Sequence, residues 1–94
     1  MDATTTPLVR NVRIRNERGL HARAAAKLVQ TLSTLDAEVM VEKDGMSVSG
    51  RSIMGLMMLA AAPGSILVLT AKGPDAKEAL TAVAALVDSG FGET

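Results

Sequence analysis

The chain holds a single histidine, His21, in the run Arg18-Gly19-Leu20-His21-Ala22-Arg23. Its position is the point of interest: an extended, turn-rich stretch ends there and a helical pattern begins. A helix N-terminus offers backbone N–H groups with no intrahelical partner and a partial positive charge, which together favour a bound anion. An imidazole near neutral pH offers a nucleophilic ring nitrogen. An arginine two residues further on, Arg23, can add charge-assisted hydrogen bonds to phosphoryl oxygens. The set is suited to holding a transferable phosphoryl group. The plain alternative is a histidine that happens to precede a helix, since isolated histidines are common in turns.

Other chemistries are narrowed by composition. There are no cysteines, so disulfides and thiolate sites are excluded, and one histidine makes no histidine-based metal cluster. No cofactor and no metal are expected. A hydrolytic enzyme would need a serine, cysteine or paired carboxylate beside the histidine, and the pattern supplies none. Phe91 is the only aromatic residue, so the stacking rings of an RNA-binding module are missing and nucleic acid is not an expected partner. Such a non-catalytic α/β regulatory or RNA-binding module is nonetheless the alternative to weigh. No leader-like segment and no apolar run of membrane-spanning length is seen, so a cytoplasmic protein without membrane insertion is expected.

The charge is uneven. Residues 1–27 carry six basic and two acidic side chains, and residues 28–94 carry four basic and eight acidic ones, for a net charge of zero over 94 residues. The basic end holds His21, which suits a phosphate or an acidic partner surface. Solvated arginines at strand and helix edges would give the same numbers.

The elements that must position these residues can be read from periodicity. Residues 1–7 read as a flexible tail. Residues 8–15 alternate as a half-buried strand, with Leu8, Val12 and Ile14 on one face. A helix over 22–33 carries the stripe Ala25, Leu28, Val29 and Leu32. Residues 37–42 and 46–50 read as strands joined by an Asp44-Gly45 hairpin turn. Ser52 is placed to cap a short helix over 53–61, stopped by Pro63-Gly64. Residues 65–71 are apolar on both faces, as an interior strand would be. Gly73-Pro74 should start the last helix, with Pro74 at its first position and Ala76, Leu80, Val83, Ala84 and Val87 facing inward. Gly90 closes it, Phe91 can fold back onto its last turn, and 92–94 read as a C-terminal tail. The order β-α-β-β-α-β-α makes an α+β domain over 8–91, with a four-stranded sheet covered on one face by three helices.

Two stretches carry a family resemblance. Gly19-Leu20-His21-Ala22-Arg23-Ala24-Ala25 resembles the active-site segment of HPr, the histidine-containing phosphocarrier of the bacterial phosphotransferase system. Ser52-Ile53-Met54-Gly55-Leu56-Met57 resembles that family's regulatory-serine segment, at the family's spacing from the first. The resemblance implies an open-faced β-sandwich with an antiparallel sheet and a monomeric carrier that is not itself an enzyme. It implies that phosphorylated enzyme I passes a phosphoryl group to His21, at Nδ1 in the family, and that an enzyme IIA protein takes it on. Arg23 matches the arginine that contacts the phosphoryl group. Ser52 matches the serine modified by HPr kinase/phosphorylase, and Ile53, Met54, Gly55 and Met57 match partner-contacting positions. Where the family has proline after the arginine, this chain has Ala24. Asp36-Ala37-Glu38-Val39 and Ser89-Gly90-Phe91 resemble the nitrogen-related branch of the system.

From the residues alone, Ile53 to Leu59 is apolar almost all round, which is unusual for a short surface helix. Leu56, Leu59 and Ala60 can pack on the sheet, which leaves Ile53, Met54 and Met57 outward as an adaptable docking patch, or else as more core. Gly55 is expected to let a partner approach.

Overall fold

The computed structural model describes residues 6–93. Strands β1 (Leu8–Arg13), β2 (Glu38–Lys43), β3 (Met46–Ser49) and β4 (Ile66–Lys72) alternate with helices α1 (Ala22–Leu32), α2 (Ile53–Met58) and α3 (Ala76–Asp88). The sheet order is β1-β4-β2-β3, and every neighbouring pair is antiparallel. β4 is therefore interior, inserted between the first two strands in sequence.

Register explains the one-sided core. Val12 faces Leu67 across the β1–β4 pair, and Val39 and Val41 face Ala71 and Leu69 across β2–β4. These residues are all buried, with Leu28 and Leu32 of α1, Leu56 of α2 and Val83 and Val87 of α3. The alternate positions Val9, Asn11, Arg13, Glu38, Glu42 and Ile66 are exposed. The helices thus cover one face and the other stays open, giving the open-faced sandwich. β4 has apolar residues on both faces, but Ile66 on the open side is 41% exposed, so interior position in the sheet does not bring burial on both sides. The only aromatic, Phe91, is fully buried, and the open sheet presents no stacking ring.

Local chemistry sets the turns. Asp44 (φ 50°) and Gly45 (φ 86°) both take positive φ in the β2–β3 hairpin, the pattern of a type I′ turn. Two helix ends differ from expectation. α2 stops at Met58 and does not reach residue 61, because Ala60 adopts φ 50° and turns the Ala61 carbonyl to accept the Leu20 N–H at 2.9 Å. Ala60 is exposed and does not pack on the sheet; Leu56 and Leu59 do. α3 begins at Ala76 and not at Pro74, because Asp75 is tied to the loop before β2. Its carboxylate accepts the Asp36 N–H at 2.7 Å, and its own N–H donates to the Asp36 carbonyl at 3.0 Å.

At the N-terminus, Thr6 and Pro7 are exposed, while residues 1–5 of the expected tail lie outside the described residues. The C-terminal end corrects the expectation of a tail over 92–94. Gly90–Gly92 form a 3-10 turn, and Glu93 contacts the body of the protein; Thr94 lies outside the described residues.

Candidate functional site

His21 is the N-cap of α1, with extended backbone (φ −78°, ψ 179°). Its carbonyl accepts the first intrahelical bond, from the Ala25 N–H at 2.8 Å. Its ring does what a capping serine or aspartate would do: Nδ1 accepts the Arg23 backbone N–H at 3.2 Å. A nitrogen that accepts must hold its lone pair, so Nδ1 is unprotonated in this arrangement and the proton of a neutral ring resides on Nε2.

The segment before the helix is held by a close backbone approach. Gly19 has φ 65°, and a Cβ there would lie 2.2 Å from the Ala61 carbonyl oxygen. Any side chain would push apart the β1–α1 loop and the end of α2, so glycine is required in this loop, two residues before His21. Leu20 is buried beside it and its N–H bonds to the same carbonyl. His21 thereby borders a shallow groove with Ala60, Ala61, Ala62 and Pro63.

The other edge of the ring is not open to solvent, as a site at the mouth of a helix would suggest. Nε2 bonds to the Glu93 carboxylate, and the His21 side chain is only 17% exposed. Glu93 is brought there by the chain reversal after α3. Gly90, Phe91 and Gly92 have φ of 66°, 58° and 74°, Phe91 is buried as an anchor, and the Lys27 ammonium of α1 bonds to the Phe91 carbonyl. Asn16 completes the arrangement. Its buried amide nitrogen donates to the Gly19 carbonyl at 2.8 Å and to the second Glu93 oxygen at 3.0 Å. Only an NH₂ group can serve two acceptors, which fixes the amide orientation and leaves Oδ1 buried with no partner among the described residues. The bond from His21, then that from Asn16, holds the Glu93 carboxyl below the usual carboxylate range, with a smaller contribution from the Arg18 charge.

Arg23 is exposed in the first turn of α1 and, with Arg15 and Arg18, lines a cleft of about 550 Å³ that Asn16 and Glu93 also border. Three guanidiniums against Glu17, Asp88 and Glu93 leave this cleft no more than charge-balanced, and with Arg23 facing solvent a cation is available for an incoming anion. Ala24, in the place of proline, is fully buried within α1, and the helix still starts at Ala22.

The second expected site is the entrance of α2. Ser52 caps α2: its hydroxyl accepts the Gly55 N–H at 3.0 Å and its carbonyl accepts the Leu56 N–H at 3.0 Å. Gly55 has an internal reason for being glycine. A Cβ there would sit 3.1 Å from both the Ser52 hydroxyl and the Val48 Cβ, so its bare face serves the packing of helix on strand. Ile53, Met54 and Met57 are 40%, 73% and 41% exposed, joined by Met58 at 67% and by Met46 of β3 at 47%.

Sequence reasoning did not find Asn16, Glu93 or Met58. Two glycines flanking the only aromatic residue mark a tight, anchored reversal after α3, and that was the available pointer to Glu93. Among the described residues no group of acidic or histidine side chains could hold a metal ion, and no helix is long and apolar enough to cross a membrane.

Comparison with known proteins agrees with this geometry. The family model described as the PTS HPr component phosphorylation site matches residues 8–89. The chain is 48% identical over 86 residues to phosphocarrier protein HPr of Neisseria meningitidis serogroup A, covering 92% of this chain and 97% of that protein. It is 46% identical over 88 residues to phosphocarrier protein NPr of Shewanella violacea, covering 94% and 97%. The crystal structure of HPr from Thermoanaerobacter tengcongensis superposes with a TM-score of 0.88 at 42% identity, covering 93% of this chain and 98% of that one. A helix entrance that carries a lone imidazole, set in a domain matched almost end to end, therefore places this chain in the HPr family of phosphocarrier proteins of the phosphotransferase system, carriers and not catalysts.

Proposed function

We propose that His21 is the phosphoryl acceptor, taking the group at Nδ1 from phosphorylated enzyme I and passing it to enzyme IIA proteins. The observation that carries this reading is the Arg23 N–H donated to Nδ1. That bond marks the nitrogen with an available lone pair and aims it at the helix entrance. When Nδ1 forms a bond to phosphorus, the lone pair is used, and the Arg23 N–H is released to a phosphoryl oxygen. The first-turn N–H groups of Ala22 and Ala24 have no intrahelical acceptor and favour the same anion. The Arg23 guanidinium supplies the positive charge. These interactions are moderate and solvent-adjacent, as a carrier that must release its cargo requires.

The docking surface in this reading is the apolar patch of α2, Ile53, Met54 and Met57 with Met58. Its unbranched methionines adapt to more than one partner surface, which suits a carrier that meets a donor and an acceptor in turn. It acts as a single cytoplasmic chain. Ser52 is the regulatory residue. A phosphate there would sit at the N-terminus of α2, where its oxygens can still accept first-turn N–H groups, and would place negative charge on the docking face, against acidic partners, if an HPr kinase/phosphorylase acts on it.

The test is phosphorylation by enzyme I and phosphoenolpyruvate, followed by intact-mass spectrometry. One acid-labile phosphate is expected on the natural chain and none on H21A. A natural chain that gains no phosphate from a competent enzyme I, or an H21A chain that gains it equally, would overturn the reading.

A further inference from the structure

Two observations about His21 point in the same direction. Nδ1 accepts a hydrogen bond, and Nε2 faces a carboxylate that can only accept. The ring is thus wedged between a donor on one side and an acceptor on the other. Nothing in the phosphoryl-accepting role of Nδ1 accounts for the construction on the Nε2 side. A reversal with three successive positive φ values, a buried phenylalanine anchor, a lysine clamp on the Phe91 carbonyl and a buried asparagine all converge on placing one Glu93 carboxylate.

We propose that Glu93 is a positioning residue for phosphoryl transfer: its side-chain carboxylate holds the proton on His21 Nε2, so that the Nδ1 lone pair is the one presented, and supports the positive charge that the ring carries while it holds the phosphoryl group. The inference rests on the reading of His21 as the acceptor.

The step balances without any further reactant. The Nδ1 lone pair forms the N–P bond as the bond from phosphorus to the donor breaks, and the electron pair of that bond leaves with the donor. The Nε2 proton stays where it was, so the neutral ring becomes a phosphorylated, cationic one. On onward transfer the N–P bond breaks, its electron pair returns to Nδ1, and the ring departs neutral. A ring that lost its Nε2 proton would be a poorer leaving group and would retain the phosphoryl group. A carboxylate on Nε2 therefore keeps the cargo transferable, while the proton remains available for the whole cycle.

The surroundings keep Glu93 charged. Arg15 and Arg18 of the β1–α1 loop and Arg23 and Lys27 of α1 lie around it, opposed by Glu17 and by Asp88 of α3. The balance is positive, and the two hydrogen bonds it receives hold the carboxyl below its usual range. Asn16 fixes the second oxygen, so the first is aimed at the ring without depending on rotamer chance.

The experiment separates orientation from charge with two full-length variants. E93Q keeps an oxygen able to accept the Nε2 proton but carries no charge; E93A removes both. ¹⁵N NMR of the unphosphorylated chain at alkaline pH should show the Nε2–H tautomer in the natural chain and in E93Q, and a second tautomer in E93A. For the phosphorylated chains, the pH profile of phosphohistidine hydrolysis should move toward acid in both variants, with onward transfer at neutral pH slower by about two- to fivefold, the range of a partly exposed ion pair. Unchanged tautomers together with an unchanged hydrolysis profile in both variants would overturn the proposal. Failure of the carrier reading itself is distinguishable, because it shows as no phosphate on the natural chain, while the tautomer measurement needs no phosphate.

Discussion

The entrances of α1 and α2 are built on the same plan and put to different uses. In each, an extended N-cap residue turns its side chain back to a first-turn N–H: His21 Nδ1 to Arg23 at 3.2 Å, Ser52 Oγ to Gly55 at 3.0 Å. Serine is a good cap and histidine is not among the preferred ones. At α2 the cap is set in an apolar surface of exposed methionines and completes a helix of only six residues. At α1 the helix has eleven residues, so a less favourable cap is a smaller share of what holds it, and the position can carry a nucleophilic ring beside arginines. The contrast teaches that a chemically active group can replace a stabilising one where the helix is long enough for its cap to matter less.

The sharpest way to break this comparison is to remove each cap. H21A should abolish phosphoryl acceptance while costing no more than about 1 kcal/mol of stability, whereas S52A should leave His21 chemistry intact and cost about 1 kcal/mol through the loss of the α2 cap. Urea unfolding midpoints read beside phosphate gain by mass spectrometry decide this. A large stability loss in H21A, or lost acceptance in S52A with a competent donor, would dissolve the distinction. S52D should hold the cap, since aspartate caps well, but slow transfer from the partner proteins.

Arg23 gives the next effect. R23A should lower the rate of phosphoryl acceptance by about tenfold, the scale of one lost charge-assisted hydrogen bond at a solvent-adjacent site, with unfolding free energy changed by less than about 0.5 kcal/mol. Stopped transfer assays at fixed enzyme I concentration measure it; an unchanged rate would assign the anion to the backbone N–H groups alone.

The α2 surface should answer in affinity rather than chemistry. M54K and M57K should raise the KM for enzyme I several-fold and leave stability within about 0.5 kcal/mol, because both side chains are exposed. If they unfold the domain instead, the patch is core and not a docking face.

The smallest effect is in pH dependence. The Glu93 carboxyl is lowered from 4.5, first by the bond from His21. A carboxyl depressed in the folded state adds stability above its unfolded value, and that contribution is lost as pH falls through the folded value. The stability difference between the natural chain and E93Q should therefore be constant at neutral pH and shrink as pH drops below about 4.5. A difference that grows on acidification would contradict the assigned direction.

Much of this protein is written along the chain. The alternation in residues 8–15, the stripe Ala25-Leu28-Val29-Leu32 and the Asp44-Gly45 turn each express a local periodicity or a local dihedral preference, and each marks its element, although the first strand ends at Arg13 and Leu8, at the sheet edge, is 41% exposed where Val12 and Ile14 are buried. His21 and Ser52 at helix entrances are legible for the same reason: caps depend on neighbours two or three residues away. The ends of helices were less legible. Pro74 reads as a helix start until Asp75 is claimed by Asp36, 39 residues away, and Ala60 reads as helical until the Ala61 carbonyl is claimed by Leu20.

By itself, then, the sequence determined the kinds of element, their order, and which two residues stand at helix entrances with reactive oxygen or nitrogen. Tertiary structure alone decided the sheet order β1-β4-β2-β3, which face of β4 stays open, and the meeting of Glu93 with Asn16 and His21 across 77 and 72 residues. The physical reason is range. Periodicity and capping act through bonds to near neighbours, whereas a contact between distant residues exists only once hydrophobic burial has stacked α1 and α3 on one sheet and the Phe91 anchor has turned the chain end back onto the ring.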